Sequence, residues 1–445
     1  MKRITEESVL LVSIFKWIVL SSLVGSVIGL STALFLFLLN WTTGRVGQFD
    51  YFFLLLPLAL FLSSFISQYL APEAAGHGTE KVIEAVHKRG GHINALVVPV
   101  KLLTTIITLA CGGSAGKEGP CAQIGGGLAS MLADLLKFGP ADRKKLVICG
   151  ISAGFASVFG TPIAGAIFGI EVLFIGGMMY DVLLPSFIAG VMAYQVSAAL
   201  GVTYFYHAME FVPAFSELFF VKVLIGGIFL GLCALFFIES LKYFKGISAR
   251  IAIWAPLKGL LGGTVLIGLT LLFSTRYLGL GLNTIEATLG GAGADWWAFA
   301  VKILFTCITL TFGGSGGIVT PIFFVGATFG SLYGYIMGLD QATFAAIGMV
   351  GLLAGAANTP IAASILAVEL FGPKIAPYAA VASVTAFLMT GHRSVYPSQV
   401  FAIMKSSSFR QQIGKEAVDI APEFLLRKRS LIGLVLSRAR RIFRQ

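Results

Sequence analysis

Apolar runs long enough to cross a lipid bilayer recur along most of this chain, at 8–38, 50–71, 146–170, 182–200, 221–238, 257–273 and 322–338. A helix needs about 20 apolar residues to span the hydrocarbon core. Backbone in lipid must satisfy its own hydrogen bonds, so such runs fold as helices or close into barrels. These runs do not alternate apolar with polar residues, which argues against a barrel. Only 12% of the 445 residues are charged, against roughly 25% in soluble domains. The chain is read as an all-α polytopic membrane protein. Its first run is longer than a signal-peptide core and reads as the first membrane helix.

The formal net charge is +11. The basic residues gather in short loops and at the ends: Lys2 and Arg3, Arg143–Lys145, Lys242–Arg250, and the tail from Arg427. No Lys or Arg stands between Lys145 and Lys222, or between Lys302 and Lys374. This is the pattern of cytoplasmic loops and termini in a plasma-membrane protein, not of a nucleic-acid binder. Residues 427–445 read as a basic amphipathic helix on the anionic inner leaflet. The five cysteines (Cys111, Cys121, Cys149, Cys233 and Cys307) all sit in apolar segments without a CxxC. They read as small core residues, and no cofactor or metal is called for.

The chain also repeats itself. VKLLTTIITLACGGSAGKEGP (100–120) and VKILFTCITLTFGGSGGIVTP (301–321) share twelve of 21 positions. TPIAGAIFGIEV (161–172) matches TPIAASILAVEL (359–370), with Glu171 and Glu369 in register. The chain therefore divides into a first segment and helix (1–49), repeat 1 (50–200), connecting helices (201–254), repeat 2 (255–400) and a basic cytoplasmic tail (401–445). Transporters built this way usually place their substrate site where the repeats meet.

Each glycine phrase breaks an apolar run and ends in a proline, at Pro120 and Pro321. Broken backbone at membrane depth is tolerated where protein buries it or where it lines a cavity. Proline suits the first turn of the helix that follows. Each repeat then points a helix N-terminus, with free N–H groups and about half a positive charge, into the membrane. Two such ends facing one another make an anion site without a cationic side chain. Glu118, in such a place, is itself an anion and competes for the site; protonation or a swing of the side chain would vacate it. The rival reading pairs Glu118 with Lys117 simply to satisfy the loop. A P-loop does not fit, because Glu118 stands where Ser or Thr should follow the lysine.

These residues resemble the CLC chloride channels and chloride/proton antiporters, from PEAAGHGTE (72–80) to SVYPS (394–398). GKEGP (116–120) resembles the family's G(K/R)EGP motif, GIVTP (317–321) its GxFxP motif, and HRSVY (392–396) the segment ending in a pore tyrosine. The resemblance implies a homodimer with a pore in each subunit, and two inverted-topology repeats of broken, tilted helices. It implies that amides at Ile318 and Val319, with the Tyr396 hydroxyl, meet a central anion. Amides around Lys117, Glu118 and Gly119 would form an outer site, with Glu118 as the protonatable gate.

Departures from the family pattern sharpen the expectation. GHGTE (76–80) lies where the family has GSGIPE, so His77, ahead of Gly78, stands at the anion-touching serine. A histidine there either donates from a ring nitrogen, carries charge below about pH 6.5, or only ends a helix. Val319 replaces a phenylalanine. Val172 stands where the antiporters carry an inner proton-transfer glutamate, and Glu171 reads as structural. The fluoride-selective branch departs at the same two places, serine and inner glutamate, yet the intact GKEGP proline and Tyr396 favour chloride. The expectation is a channel-like chloride pathway without the paired nucleotide-binding domains of many relatives. A proton-coupled or fluoride-selective member is the alternative. An intramembrane enzyme is disfavoured: the five histidines are scattered and no HExxH occurs.

Overall fold

The computed structural model describes residues 2–420, apart from 210, 212 and 215, together with residue 423; the expected helix at 427–445 lies outside them. A long helix, α1 (Lys2–Val46), precedes two sets of seven. The first set is α2 (Leu56–Leu70), α3 (Gly78–Lys88), α4 (Val97–Ala110), α5 (Glu118–Leu135), α6 (Pro140–Phe159), α7 (Pro162–Glu171) and α8 (Leu183–Ala199). After the connecting helix α9 (Glu217–Arg250), the order returns as α10 (Ala255–Leu272), α11 (Leu282–Leu289), α12 (Ala298–Thr311), α13 (Val319–Ile336), α14 (Gln341–Ala357), α15 (Pro360–Phe371) and α16 (Ala376–Met389). Among the described residues six helices are long and apolar enough to cross a membrane; several others, such as α4, α7, α12 and α15, are apolar but short.

One expected span is corrected. The run 146–170 is two helices, α6 and α7, broken at Gly160–Thr161 ahead of Pro162. Gly160 takes a left-handed φ of 74° to end α6, a conformation cheap only for glycine. Asn358, its counterpart in repeat 2, ends α14 the same way at φ 57°.

The repeats are related by inversion. Gly259 of α10 packs against Leu60 and Phe61 of α2, and Gly263 against Leu56 and Pro57. As one number rises the other falls, so these equivalent helices run antiparallel. The axis relating them therefore crosses the helices rather than following them. Contacts recur in pairs about it. Gly125 meets Gly150 between α5 and α6, and Gly326 meets Gly348 between α13 and α14. Lys101 Nζ bonds the carbonyls of Ala74 (3.0 Å) and Gly76 (2.5 Å). Lys302 Nζ bonds those of Tyr277 (3.0 Å) and Gly279 (2.8 Å). Small residues let the helix backbones approach in this way.

The glutamates matched at 171 and 369 cap each other's repeats. Glu171 accepts from the amides of Ile361 (3.1 Å) and Ala362 (2.8 Å) at the start of α15. Glu369 accepts from Ile163 (3.0 Å) and Ala164 (2.7 Å) at the start of α7. Each carboxylate meets a helix end whose N–H groups lack intrahelical partners. Replacing Glu171 by Ala strands two of those donors at a buried site, at a cost of about 1–3 kcal/mol. The expected outcome is a melting temperature lowered by a few degrees in detergent, with Glu171→Gln closer to the parent. An unchanged melting curve for the alanine variant would remove the cap from the account.

Beyond the last helix the chain does not leave the membrane part at once. Strand β4 (Val400–Phe401) pairs in parallel with β2 (Phe174–Ile175). Ile175, Phe401, Ala417 and Ile420 close a small apolar cluster there.

Candidate functional site

The two glycine phrases meet. Gly116 N donates to Gly317 O (2.7 Å) and Gly317 N returns a bond to Gly116 O (2.6 Å). A second exchange flanks the first: Ser114 N donates to Thr309 Oγ1 (3.0 Å) and Ser315 N to Thr108 Oγ1 (3.1 Å). A third glycine-led end joins them through the parallel pairing of β1 (Gly76–His77) with β3 (Ser315–Gly316). A Cβ at Gly78 would stand 2.5 Å from Gly119 O, and one at Gly119 would stand 2.9 Å from Gly317 Cα. The starts of α3, α5 and α13 are thus held together by backbone contact, at Gly78, Glu118–Gly119 and Ile318–Val319. Pro120 and Pro321 each sit third in their helices, where a missing N–H costs nothing. Three positive helix ends at one place favour an anion.

The Glu118 side chain lies at one of these ends. Its carboxylate, buried with the rest of the residue, reaches across the repeat boundary to the start of α13. One oxygen accepts from Thr320 Oγ1, and Oε2 accepts from Thr320 N at 3.2 Å. The bare α-carbon of Gly116 leaves it room, since a Cβ there would lie 2.4 Å from Oε2. Lys117, the residue capping α5, makes no ion pair with it among the described residues. The loop-satisfying Glu118–Lys117 pair gives way to a bond between repeats.

On the other side stand His77 and Tyr396, with ring centroids 5.8 Å apart. His77 precedes α3 in extended conformation and its side chain does not cap that helix. Its Nδ1 and the Tyr396 hydroxyl are both buried without a hydrogen-bonding partner. Two orphaned polar atoms on neighbouring rings are costly, and a small anion accepting from them would meet that cost. Glu80, on α3, binds Ser398 N (3.1 Å) and Ser398 Oγ (2.6 Å), fastening the tyrosine's loop to the helix behind His77. Val172 lies elsewhere: it follows α7 and its side chain is fully buried in the apolar core.

The comparisons with known proteins identify the family. A family model described as voltage gated chloride channel matches residues 58–391. The chain belongs to the CLC family. It is 36% identical over 401 residues to a chloride/fluoride channel protein of Pseudomonas syringae pv. tomato, covering 88% of each chain. It is 27% identical over 390 residues to the H(+)/Cl(-) exchange transporter ClcA of Klebsiella pneumoniae subsp. pneumoniae, covering 79% of this chain and 80% of that one. Among solved structures, a CLC-type fluoride/proton antiporter superposes with a TM-score of 0.83 at 28% identity, over 87% of this chain and 98% of that one. A slow cyanobacterial Cl-/H+ antiporter, at 22% identity and a TM-score of 0.73 over 84% of this chain and 94% of that one, bears on the CLC fold alone. The chain is a CLC-family anion transporter of the membrane.

Sequence reasoning brought His77, Gly78, Lys117, Glu118, Gly119, Ile318, Val319 and Tyr396 to this region, but it passed over Thr320. The signal was one hydroxyl in an apolar stretch beside Pro321. Ser398 and Glu80 were also missed, because their pairing joins residues 318 positions apart.

Proposed function

We propose that this CLC-family chain exchanges fluoride for protons, with Glu118 as both gate and proton carrier. The carrying observation is the Glu118 carboxylate held by Thr320 at the start of α13. An anion and an ionised carboxylate compete for the same donors, so binding one expels the other. By linkage, anion binding and protonation of Glu118 then favour each other by equal factors. No inner carboxylate is required for that step, which fits Val172 in the glutamate's place. Backbone amides at Gly78, Ile318 and Val319, with His77 and Tyr396, take the central anion; amides at Lys117 and Gly119 take the outer one. Fluoride is favoured over chloride by the name of the superposed antiporter and by the departures at His77 and Val172; the Pseudomonas relative's name carries both halides. Passive chloride conduction is the second reading, favoured by the buried valine. Two copies in the plasma membrane, each with its own pore and with cytoplasmic termini, complete the proposal.

Purified protein in liposomes decides between the readings. A fluoride gradient is expected to drive protons uphill, at a fixed ratio, and a chloride gradient to do so far more weakly. Fast anion flux without proton movement would establish the passive reading instead. Equal coupling to both halides would reject the fluoride preference.

A further inference from the structure

Tyr396 is fully buried, and its hydroxyl, beside the Thr79 side chain, is left without a hydrogen-bonding partner, so ring packing and the backbone together fix where that hydroxyl stands. That backbone is held by a polar network that ends outside the membrane helices. Tyr396 N donates to Ser394 Oγ (2.9 Å), and Ser394 Oγ donates to Gln399 Oε1 (2.6 Å). Gln399 is fully buried. Its Nε2 donates to Val172 O and Ala357 O, both at 2.8 Å, tying the loop to repeat 1 and repeat 2 together. Its Oε1 also accepts from Asn358 Nδ2 (3.1 Å), which donates as well to Arg393 O (3.1 Å). The remaining acceptor of Asn358, Oδ1, is taken by Lys405 Nζ at 2.5 Å.

Lys405 completes the set. Its ammonium also bonds Phe387 O (2.5 Å) and Thr390 Oγ1 (3.1 Å), and stands 3.9 Å from the Phe387 ring centroid. Its three donors are used and no carboxylate is among its partners. Burial pushes its pKa well below the ordinary lysine value. A buried amine is tolerated where each of its hydrogens is bonded. Here three diverging donors meet three acceptors from α14's end, α16's end and the turn after it. Every amide hydrogen and oxygen of Asn358 and Gln399 is then matched, and saturated buried networks are rigid.

We propose that Lys405, through Asn358, Gln399 and Ser394, is a positioning residue that sets the Tyr396 hydroxyl against the transported anion. This rests on the reading that Tyr396 meets the anion, and the test separates the two. Initial fluoride uptake into liposomes is measured against fluoride concentration for the parent, Lys405→Met, Tyr396→Phe and the double variant. Lys405→Met is expected to raise the half-saturating fluoride concentration about tenfold, within the range of coupling between residues of one hydrogen-bond network. In the Tyr396→Phe background the same change is expected to shift it less than about twofold. An equal shift in both backgrounds, or none in either, overturns the proposal. If Tyr396→Phe alone leaves the half-saturating concentration unmoved, the reading beneath it fails too. Should Lys405→Met not fold, Ser394→Ala takes its place in the same cycle with the same two outcomes, since it cuts the link between Gln399 Oε1 and Tyr396 N.

Discussion

Glu118→Gln is expected to transport anions without acid activation and without moving protons. In the parent, the ionised carboxylate holds the start of α13 through Thr320 N and Oγ1. Lowering the pH protonates it and releases those donors, so flux rises as pH falls. Glutamine stays neutral at every pH and offers a weaker acceptor. Hydrogen bonds to a charged group are worth about 1.5–3 kcal/mol, which corresponds to about a tenfold to hundredfold change in occupancy. The variant is therefore expected to bind anion more tightly by about that factor, with a flat pH profile and proton movement at background. Halide efflux and proton uptake from the same liposomes, between pH 5 and 8, check both. A variant that keeps the parent's titration curve would take the gate away from Glu118.

How far the sequence carries depends on the range of the interaction involved. Hydropathy reports what touches lipid, so the first helix and most spans are legible within a few residues. It says nothing about a break buried in protein, and the Gly160–Thr161–Pro162 interruption vanished into an apolar run. The duplication made the meeting of the glycine phrases legible, because matched segments imply a shared axis and hence mutual contact near it. Even the role of Glu171 followed from its repeat partner Glu369. What stayed hidden were bonds between residues far apart in the chain. Thr320 to Glu118 and Ser398 to Glu80 are of this kind, as is the run from Lys405 to Tyr396. Each uses a polar residue of a common type, and only the folded arrangement shows which other residue it faces. The reverse holds for His77: the sequence flagged it as a departure, and the structure adds the missing partner at Nδ1 and the tyrosine beside it.

Gly317→Ala should fail to yield a folded transporter. The added Cβ would stand 2.7 Å from Gly119 N, 3.1 Å from Gly116 O and 3.2 Å from the Gly116 carbonyl carbon. All three are backbone atoms of repeat 1, and none can rotate away. Gly116 is bound to Gly317 by two reciprocal hydrogen bonds, and Gly119 is pressed between Gly317 and Gly78. Relief requires prising the repeats apart, which breaks that pair of bonds and separates the helix ends that converge on the anion. Overpacking a rigid core costs typically 1–3 kcal/mol, and each buried donor or acceptor left unmet adds about 1–3 kcal/mol. The sum is comparable to the whole stability of many proteins, about 5–15 kcal/mol. The contrast with Gly259 and Gly263 is one of location: they sit in an equally tight α2–α10 contact, but away from the helix ends. Detergent extraction followed by size-exclusion chromatography and a melting curve tests the expectation. A monodisperse Gly317→Ala protein with the parent's melting temperature and fluoride flux would mean that the two helix ends do not need this close approach, and the shared anion site would lose its geometric basis.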